Sequence, residues 1–285
     1  MRRVLLVAVI GCGRLNFEPL SDASSLTSEA DACAVTPWSA PTRLAGFDTA
    51  DTEYGAALSP DGQLLVFTLE VTSPPATELW AARRSGPASF EAPSPIAALN
   101  SATEYGAAWN GTGDQLYFDS TRTGVDRLFV ASYGNGVFGT PVLVNEFAGV
   151  AVRSPAIPAD NLEMFYTDLN ALATGRAVRP SPTAPWQLTG LVSELGDGQY
   201  ASISADGLTI YFDSDRTGNR EIYKATRSSR GAPFGASSLV TELSDPAAYD
   251  CDVNISFDDQ LLIFCSTRPS ATGQDDLFVS TRTCM

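Results

Sequence analysis

The chain contains no histidine. That absence removes the commonest general base, the Ser-His and Cys-His nucleophile pairs and the commonest zinc ligand, while leaving carboxylate chemistry open. No segment offers the ~20 apolar residues that a helix needs to cross a bilayer. No phosphate-binding loop, zinc-ligand spacing or nucleophile elbow occurs. Gly11-Cys12-Gly13 and Gly111-Thr112-Gly113 are the nearest approximations to a glycine loop, and neither precedes a helical pattern. Apolar residues recurring with a period of 3.6 over ten or more positions are also missing, which excludes helical repeats. Basic charge is scarce: 18 basic residues face 33 acidic ones, giving a formal charge of −15. With no local basic patch, such a chain repels nucleic acid and anionic lipid headgroups. Hydrophobic content of 44% and charged content of 18% are those of a chain that folds.

The N-terminus carries an export pattern. Arg2 and Arg3 precede an unbroken apolar run over residues 4–10, which is short for a membrane span and sized for a signal-peptide core. The run ends in Val9-Ile10-Gly11-Cys12. This resembles the lipobox of bacterial lipoproteins, in which the cysteine is acylated and becomes the new N-terminus. The resemblance implies that residues 1–11 are a signal peptide and that Cys12 bears the lipid. A plain cleaved signal and a buried N-terminal strand are the alternatives. Gly13 stands where an aspartate would imply retention in the inner membrane, so the resemblance points to the outer membrane of a Gram-negative cell. Residues 12–36 are rich in Ser, Ala, Asp and Glu. They read as a flexible tether spanning roughly 25 Å root-mean-square.

From residue 37 onward a unit repeats. Ser59-Pro60-Asp61-Gly62 is followed by Leu65-Val66-Phe67, and the same turn-then-apolar pattern recurs at Leu116, Met164, Ile210 and Leu262, at spacings of 51, 48, 46 and 52 residues. Each turn separates two short runs of β-branched and aromatic residues, the pattern of a hairpin. A third run follows, as in Glu78-Leu79-Trp80 and Asp276-Leu277-Phe278. A fourth begins with an aromatic residue and places an apolar one six positions later: Trp38 and Leu44, Phe90 and Ile96, Phe138 and Val144, Trp186 and Val192, Phe234 and Val240. Four strands per unit, at a period of ~40–50 residues, predict the blades of an all-β propeller.

The pieces at Ser59 to Gly62, Leu116 to Gly124 and Asp276 to Arg282 are similar to the TolB-type propeller repeat, a relative of the WD repeat. The third unit departs most, with Thr167-Asp168-Leu169 where the second has Asp119-Ser120-Thr121-Arg122. The chain stops after the third strand of the fifth unit, while an isolated fourth strand stands at Trp38 to Leu44. The expectation is therefore five four-stranded antiparallel blades over residues 37–285, the ring closed by the N-terminal strand. An open ring would leave sheet edges exposed.

If Cys12 is acylated, four cysteines remain, an even number in an oxidising compartment. Cys251 and Cys265 flank the fifth hairpin symmetrically and should face each other across it. Cys33 precedes the closing strand and Cys284 follows its partner, so a Cys33–Cys284 bond would staple the ring. Four reduced thiols are the alternative.

In propellers the mouth of the central channel usually carries function. At the start of the innermost strands stand Glu53, Glu104, Val152, Gly198 and Asp250. The carboxylates Glu53, Glu104 and Asp250 are candidate ligand-binding residues at the mouth, with strand capping as the structural alternative. Arg122 and Arg216 offer planar forks for a carboxylate, although repetition favours pairing within the blades. The resemblance implies a non-catalytic binding or scaffold protein, anchored at the envelope and using loops and mouth for protein–protein interaction. Two alternatives stand beside it: a glycosidase using the three carboxylates, and a lectin using Tyr54, Tyr105, Tyr200 and Tyr249. Neither a cofactor nor a metal is expected. The partners in view are an envelope protein or a saccharide, with the chain a monomer that does not bind nucleic acid.

The lipid anchor is tested directly. The mature protein should begin at an acylated Cys12 and partition into detergent, and Cys12→Ala should release it as a soluble protein. An unaltered protein that is soluble and starts elsewhere would disprove the anchor.

Overall fold

The computed structural model describes residues 36–47, 51–269 and 275–283. The signal segment, Cys12, the tether, Cys33 and Cys284 lie outside the described residues.

Five antiparallel sheets form a five-bladed propeller. Blade one runs from the inside outward as Thr52–Leu58, Leu64–Thr72 and Pro75–Gly86, with Ser89–Phe90 and Ser94–Pro95 at its edge. Blade two is Glu104–Trp109, Gln115–Ser120 and Arg127–Gly134, edged by Val137–Phe138 and Val142–Leu143. Blade three is Val152–Ala156, Glu163–Asp168, Ala173–Val178 and Gln187–Leu191. Blade four is Gln199–Ile203, Thr209–Ser214, Glu221–Thr226 and Ser238–Leu239. Blade five is Asp250–Ile255, Leu261–Ser266 and Asp276–Thr281, and its fourth strand is Thr42–Arg43. Helix among the described residues is limited to the 3-10 turns Asn145–Phe147 and Ser193–Leu195, and no helix there is long and apolar enough to cross a membrane.

The hairpin turns explain the repeat's polar signature. In each blade the fourth turn residue returns its N–H to the carbonyl of the first: Gly62 to Ser59, Gly113 to Asn110, Asn161 to Pro158, Gly207 to Ser204 and Asp259 to Ser256. Those fourth residues all have positive φ, between 59° and 72°. Gly, Asn and Asp are the residues that tolerate this conformation.

Burial on both faces explains the apolar second strands. Successive strand residues point to opposite faces. In blade five, Leu262 and Phe264 pack toward blade four, and Leu261 and Ile263 toward blade one. The described core divides into five clusters, each between consecutive blades. The aromatic residues that open the fourth strands cap them: Trp38, Phe90, Trp186 and Phe234 are buried, and Phe138 packs on Trp109 and Tyr133. The apolar residue six positions on donates its N–H to the third strand in every blade: Leu44 to Leu277, Ile96 to Leu79, Val144 to Leu128, Val192 to Thr174 and Val240 to Ile222.

The N-terminal strand closes the ring as expected. Thr42 faces Val279 and Arg43 faces Phe278. Beyond that pair, Ser39 N–H donates to Thr281 O at 2.8 Å and Thr36 N–H to Thr283 O at 2.9 Å. Trp38 meets Tyr211 of blade four edge-on at 6.3 Å, and the Arg282 guanidinium lies 4.3 Å over its ring. Cys251 and Cys265 face each other across the fifth hairpin and are disulfide-bonded, their Cα atoms 5.0 Å apart.

Trp38→Ala should lower the unfolding free energy by about 3–5 kcal/mol, the cost of emptying a buried aromatic site. Val137→Ala, at a position 65% exposed, should stay within about 0.5 kcal/mol of wild type. Denaturant titration compares the two.

Candidate functional site

Each innermost strand is broken by a β-bulge near its start. The register shifts after Tyr54, Tyr105, Arg153, Gln199 and Cys251. The next residue has positive φ in all five blades: Gly55 at 60°, Gly106 at 31°, and Ser154, Tyr200 and Asp252 each at 47°. Two blades meet this left-handed position with glycine. Three hold it with a side chain, at a cost of order 1 kcal/mol or more each. Blade two has no choice, because a Cβ on Gly106 would lie 2.8 Å from the Cα of Ser154. Side chains of the preceding blade secure two bulges: Asp119 Oδ1 accepts the Ser154 N–H at 3.2 Å, and Thr167 Oγ1 accepts the Tyr200 N–H at 2.8 Å.

The bulges open the channel into a cavity of about 330 Å3 at its mouth, to which all five blades contribute. Tyr54 and Glu70 come from blade one, Tyr105 from blade two, Arg153 from blade three, Tyr200 and Arg220 from blade four, and Asp252 and Asp275 from blade five. Below them the channel narrows, with a free volume of only about 40 Å3 among Ala56, Ala107, Pro155 and their neighbours, room for a few water molecules. Tyr54 and Tyr105 stack with ring centres 6.4 Å apart, and Arg153 lies 4.0 Å over Tyr105. Tyr54 donates its hydroxyl to Glu70 at 3.4 Å. Arg153 pairs with Asp126 at 3.1 Å and Asp119 at 3.5 Å. Arg220 pairs with Asp215 at 3.2 Å and Asp213 at 3.6 Å.

Burial dominates the electrostatics here. It pushes the Asp252 carboxyl up to about 7, against the charges of Arg220 and Arg153 and with that of Asp275. It holds Asp119 and Asp213 well above the usual carboxylate range, although each faces an arginine. The phenols of Tyr54, Tyr105 and Tyr200 are raised by the same cause. Oδ1 of Asp252 is enclosed, yet no donor among the described residues reaches it.

The carboxylates expected at the mouth stand two positions before the bulge residues Gly55, Gly106 and Asp252 and do not line this cavity. Glu53, Glu104 and Asp250 are fully buried. Glu104 accepts from the backbone amides of Ser101 and Ala102, from Ser120 Oγ at 3.0 Å and from Arg122 at 3.1 Å. Asp250 accepts from Ser266 Oγ at 2.6 Å and from Arg268 at 2.8 Å; burial raises its carboxyl to about 7 against both contacts. The arginines recur in one role. Arg122 binds Leu99 O and lies over Phe118 and Phe129, Arg216 binds Leu195 O and Asp197, and Arg268 binds Leu243 O. Of the tyrosines expected at a mouth, Tyr54, Tyr105 and Tyr200 line it, and Tyr249 lies elsewhere, 56% exposed. Sequence reasoning missed Arg153, Arg220, Glu70, Asp252 and Asp275. A signal for one of them was present: Gly55, Gly106, Ser154, Tyr200 and Asp252 each stand ten residues before their blade's apolar anchor.

No family model and no curated relative matches the chain. Solved structures do. The chain is similar to the putative TolB of Agrobacterium tumefaciens, with a TM-score of 0.50 and 18% identity over 76% of this chain and 71% of that one. It is also similar to a family 117 glycoside hydrolase of Zobellia galactanivorans, at 0.60 and 15% over 86% and 90%. The catalytic domain of a GH62 α-L-arabinofuranosidase of Coprinopsis cinerea stands at 0.57 and 11% over 87% and 97%. The likeness is one of fold. Propellers of this shape include both a TolB and glycoside hydrolases, so fold alone does not choose between binding and catalysis.

Asp252 makes the stability of the propeller depend on pH. Its carboxyl ionises near 3.8 when unfolded and near 7 in the fold. The folded chain thus holds the proton more tightly, and the stabilisation is complete below about 3.8 and lost as pH rises through about 7. Asparagine does not titrate. The stability of wild type relative to Asp252→Asn should therefore fall between about pH 4 and pH 7 and level off above. Denaturation at four pH values measures it, and a flat difference would contradict the burial argument.

Proposed function

We propose that this chain is an exported, non-catalytic binding protein, tethered through Cys12 to the outer membrane, that engages its partner at the channel mouth. The observation that carries this reading is the asymmetry of the mouth. The buried pairs Glu104–Arg122 and Asp250–Arg268 recur at one place in the repeat and act within their blades. The mouth instead gathers a different set from each blade, three of them on bulges where glycine is the easier residue. Strain kept at one place in a repetitive fold marks selection for a site. The likeness to a TolB supports a binding role at the level of fold. The partners that suit such a surface are an envelope protein or a saccharide.

Catalysis is the second reading, favoured by one observation: Glu70, Asp252 and Asp275 share one cavity. A carboxyl held near 7 is suited to donating a proton to a glycosidic oxygen. Glycoside hydrolysis would then rest on these residues and not on Glu53, Glu104 and Asp250.

Both readings meet in one comparison. The full chain, the double variant Tyr54→Ala/Tyr200→Ala and the surface control Val142→Ala are used to capture ligands from envelope extract. Capture should fall at least tenfold in the mouth variant alone, the loss expected when anchoring aromatics are removed. Equal capture by all three would move the site away from the mouth. Hydrolysis of an oligosaccharide set by wild type, lost in Asp252→Asn, would replace the first reading with the second.

A further inference from the structure

The charges at the mouth do not balance, and their arrangement specifies what would balance them. Two arginines reach the cavity, and each guanidinium is already engaged by two carboxylates: Arg153 by Asp126 and Asp119, Arg220 by Asp215 and Asp213. Glu70, Asp252 and Asp275 add three acids to the lining with no further base. An anionic ligand would have to displace carboxylates from both arginines. The field of such a cleft concentrates cations instead.

The donor set does not suit a metal ion. Among the described residues no group of three or more His, Cys, Asp or Glu side chains is placed to hold one. It suits an organic cation. Tyrosine faces attract diffuse positive charge, and the mouth already shows the interaction, with the Arg153 guanidinium 4.0 Å over Tyr105. Tyr54 and Tyr200 lie close enough to Asp252 for its charge to raise their phenols. Asp252 itself sits on a left-handed bulge where blades one and two have glycine, with one carboxylate oxygen enclosed and no donor of the described residues upon it. The cavity of about 330 Å3 admits a ligand of a few carbon atoms, and the narrowing beneath stops it at this level.

We propose that the channel mouth binds a small organic ammonium ion, its charge on the Asp252 carboxylate and its alkyl groups against Tyr54, Tyr105 and Tyr200. The proposal rests on the mouth being the binding site and names the class of ligand. The groups facing Asp252 are Arg153, Arg220, Asp213, Asp275, Tyr54 and Tyr200. An ammonium ion prefers the ionised carboxylate, so binding displaces the proton from Asp252. Affinity therefore rises with pH up to about 7 and is constant above.

Calorimetry with the full-length protein tests this, using choline and butylammonium as probes and glucose and acetate as controls. Saturable binding of an ammonium at pH 8 is expected, about tenfold weaker at pH 6, as one unit below the carboxyl's titration point requires. Asp252→Asn should abolish both the binding and its pH dependence, and Tyr54→Ala should weaken binding without moving the pH profile. An intact Cys251–Cys265 bond and a single cooperative melting transition certify each variant as folded. Co-sedimentation of the unanchored Cys12→Ala protein with phosphatidylcholine vesicles, lost when Asp252→Asn is added, would assign the ammonium to a lipid headgroup; choline binding without it would assign a free solute. No saturable ammonium binding at pH 8, or binding unaltered in Asp252→Asn, overturns the proposal. If glucose binds instead and is lost in the mouth variants, the ligand class is wrong while the mouth remains the site. If every probe and every captured partner is indifferent to the mouth variants, both fail.

Discussion

The whole ring hangs on a short antiparallel seam, the pairing of Thr42–Arg43 with Asp276–Thr281. Without it blade five has three strands, and Trp38, Leu44 and Phe47 lose the surfaces that bury them. The seam also fixes the site. Each blade contributes to the mouth, so Tyr54 of the first and Asp252 of the last share a cavity only because the first and last blades are neighbours. Hydrogen bonds between innermost strands extend that coupling: Asn254 Oδ1 accepts the Leu58 N–H at 3.2 Å, across the joint between blades five and one.

Repetition and exception divide the molecule into scaffold and site. An arginine at the end of the third strand in four of the five blades illustrates the scaffold. Arg84, Arg179, Arg227 and Arg282 donate to carbonyls of the hairpin turn in their own blades, and the last three stack on Trp186, Phe234 and Trp38. In blade two Tyr133 takes the position and stacks on Phe138 instead. Blade three, the most divergent in sequence, keeps the strand order but has Asn170 in the place of Arg122, Arg216 and Arg268, and gathers Arg176 and Arg227 on buried Glu163.

Most of the architecture was legible because each element has a local cause. Positive φ forces Gly, Asn or Asp into the turns, two-sided burial forces apolar second strands, and the fourth strand must offer an aromatic cap and, six residues on, an apolar anchor. The Cys251–Cys265 bond followed from symmetry about one turn. The mouth was harder to read, for a geometric reason. Counting inward from Glu53, Glu104 and Asp250 assumes unbroken alternation along a strand. The bulge inserts a residue, exchanges the facing of the residues after it and hands the cavity to Tyr54, Tyr105 and Arg153, one position beyond the expected column, and to Tyr200 and Asp252, two beyond it. Arg220 and Asp275 stand at the entry to third strands, which no innermost-strand count reaches.

The closing seam also sets the order of events during folding. Ser39 and Thr281 are 242 residues apart in sequence and touch in the ring. Contacts of that span form late, because the entropy of so large a loop must be lost before any of them forms. Blades one to four can assemble from neighbouring hairpins as the chain emerges. The fifth must wait for both ends, and until they meet the growing solenoid carries two open sheet edges. A propeller latched in this way has a natural checkpoint: only a chain whose first and last strands are both intact can bury its edges.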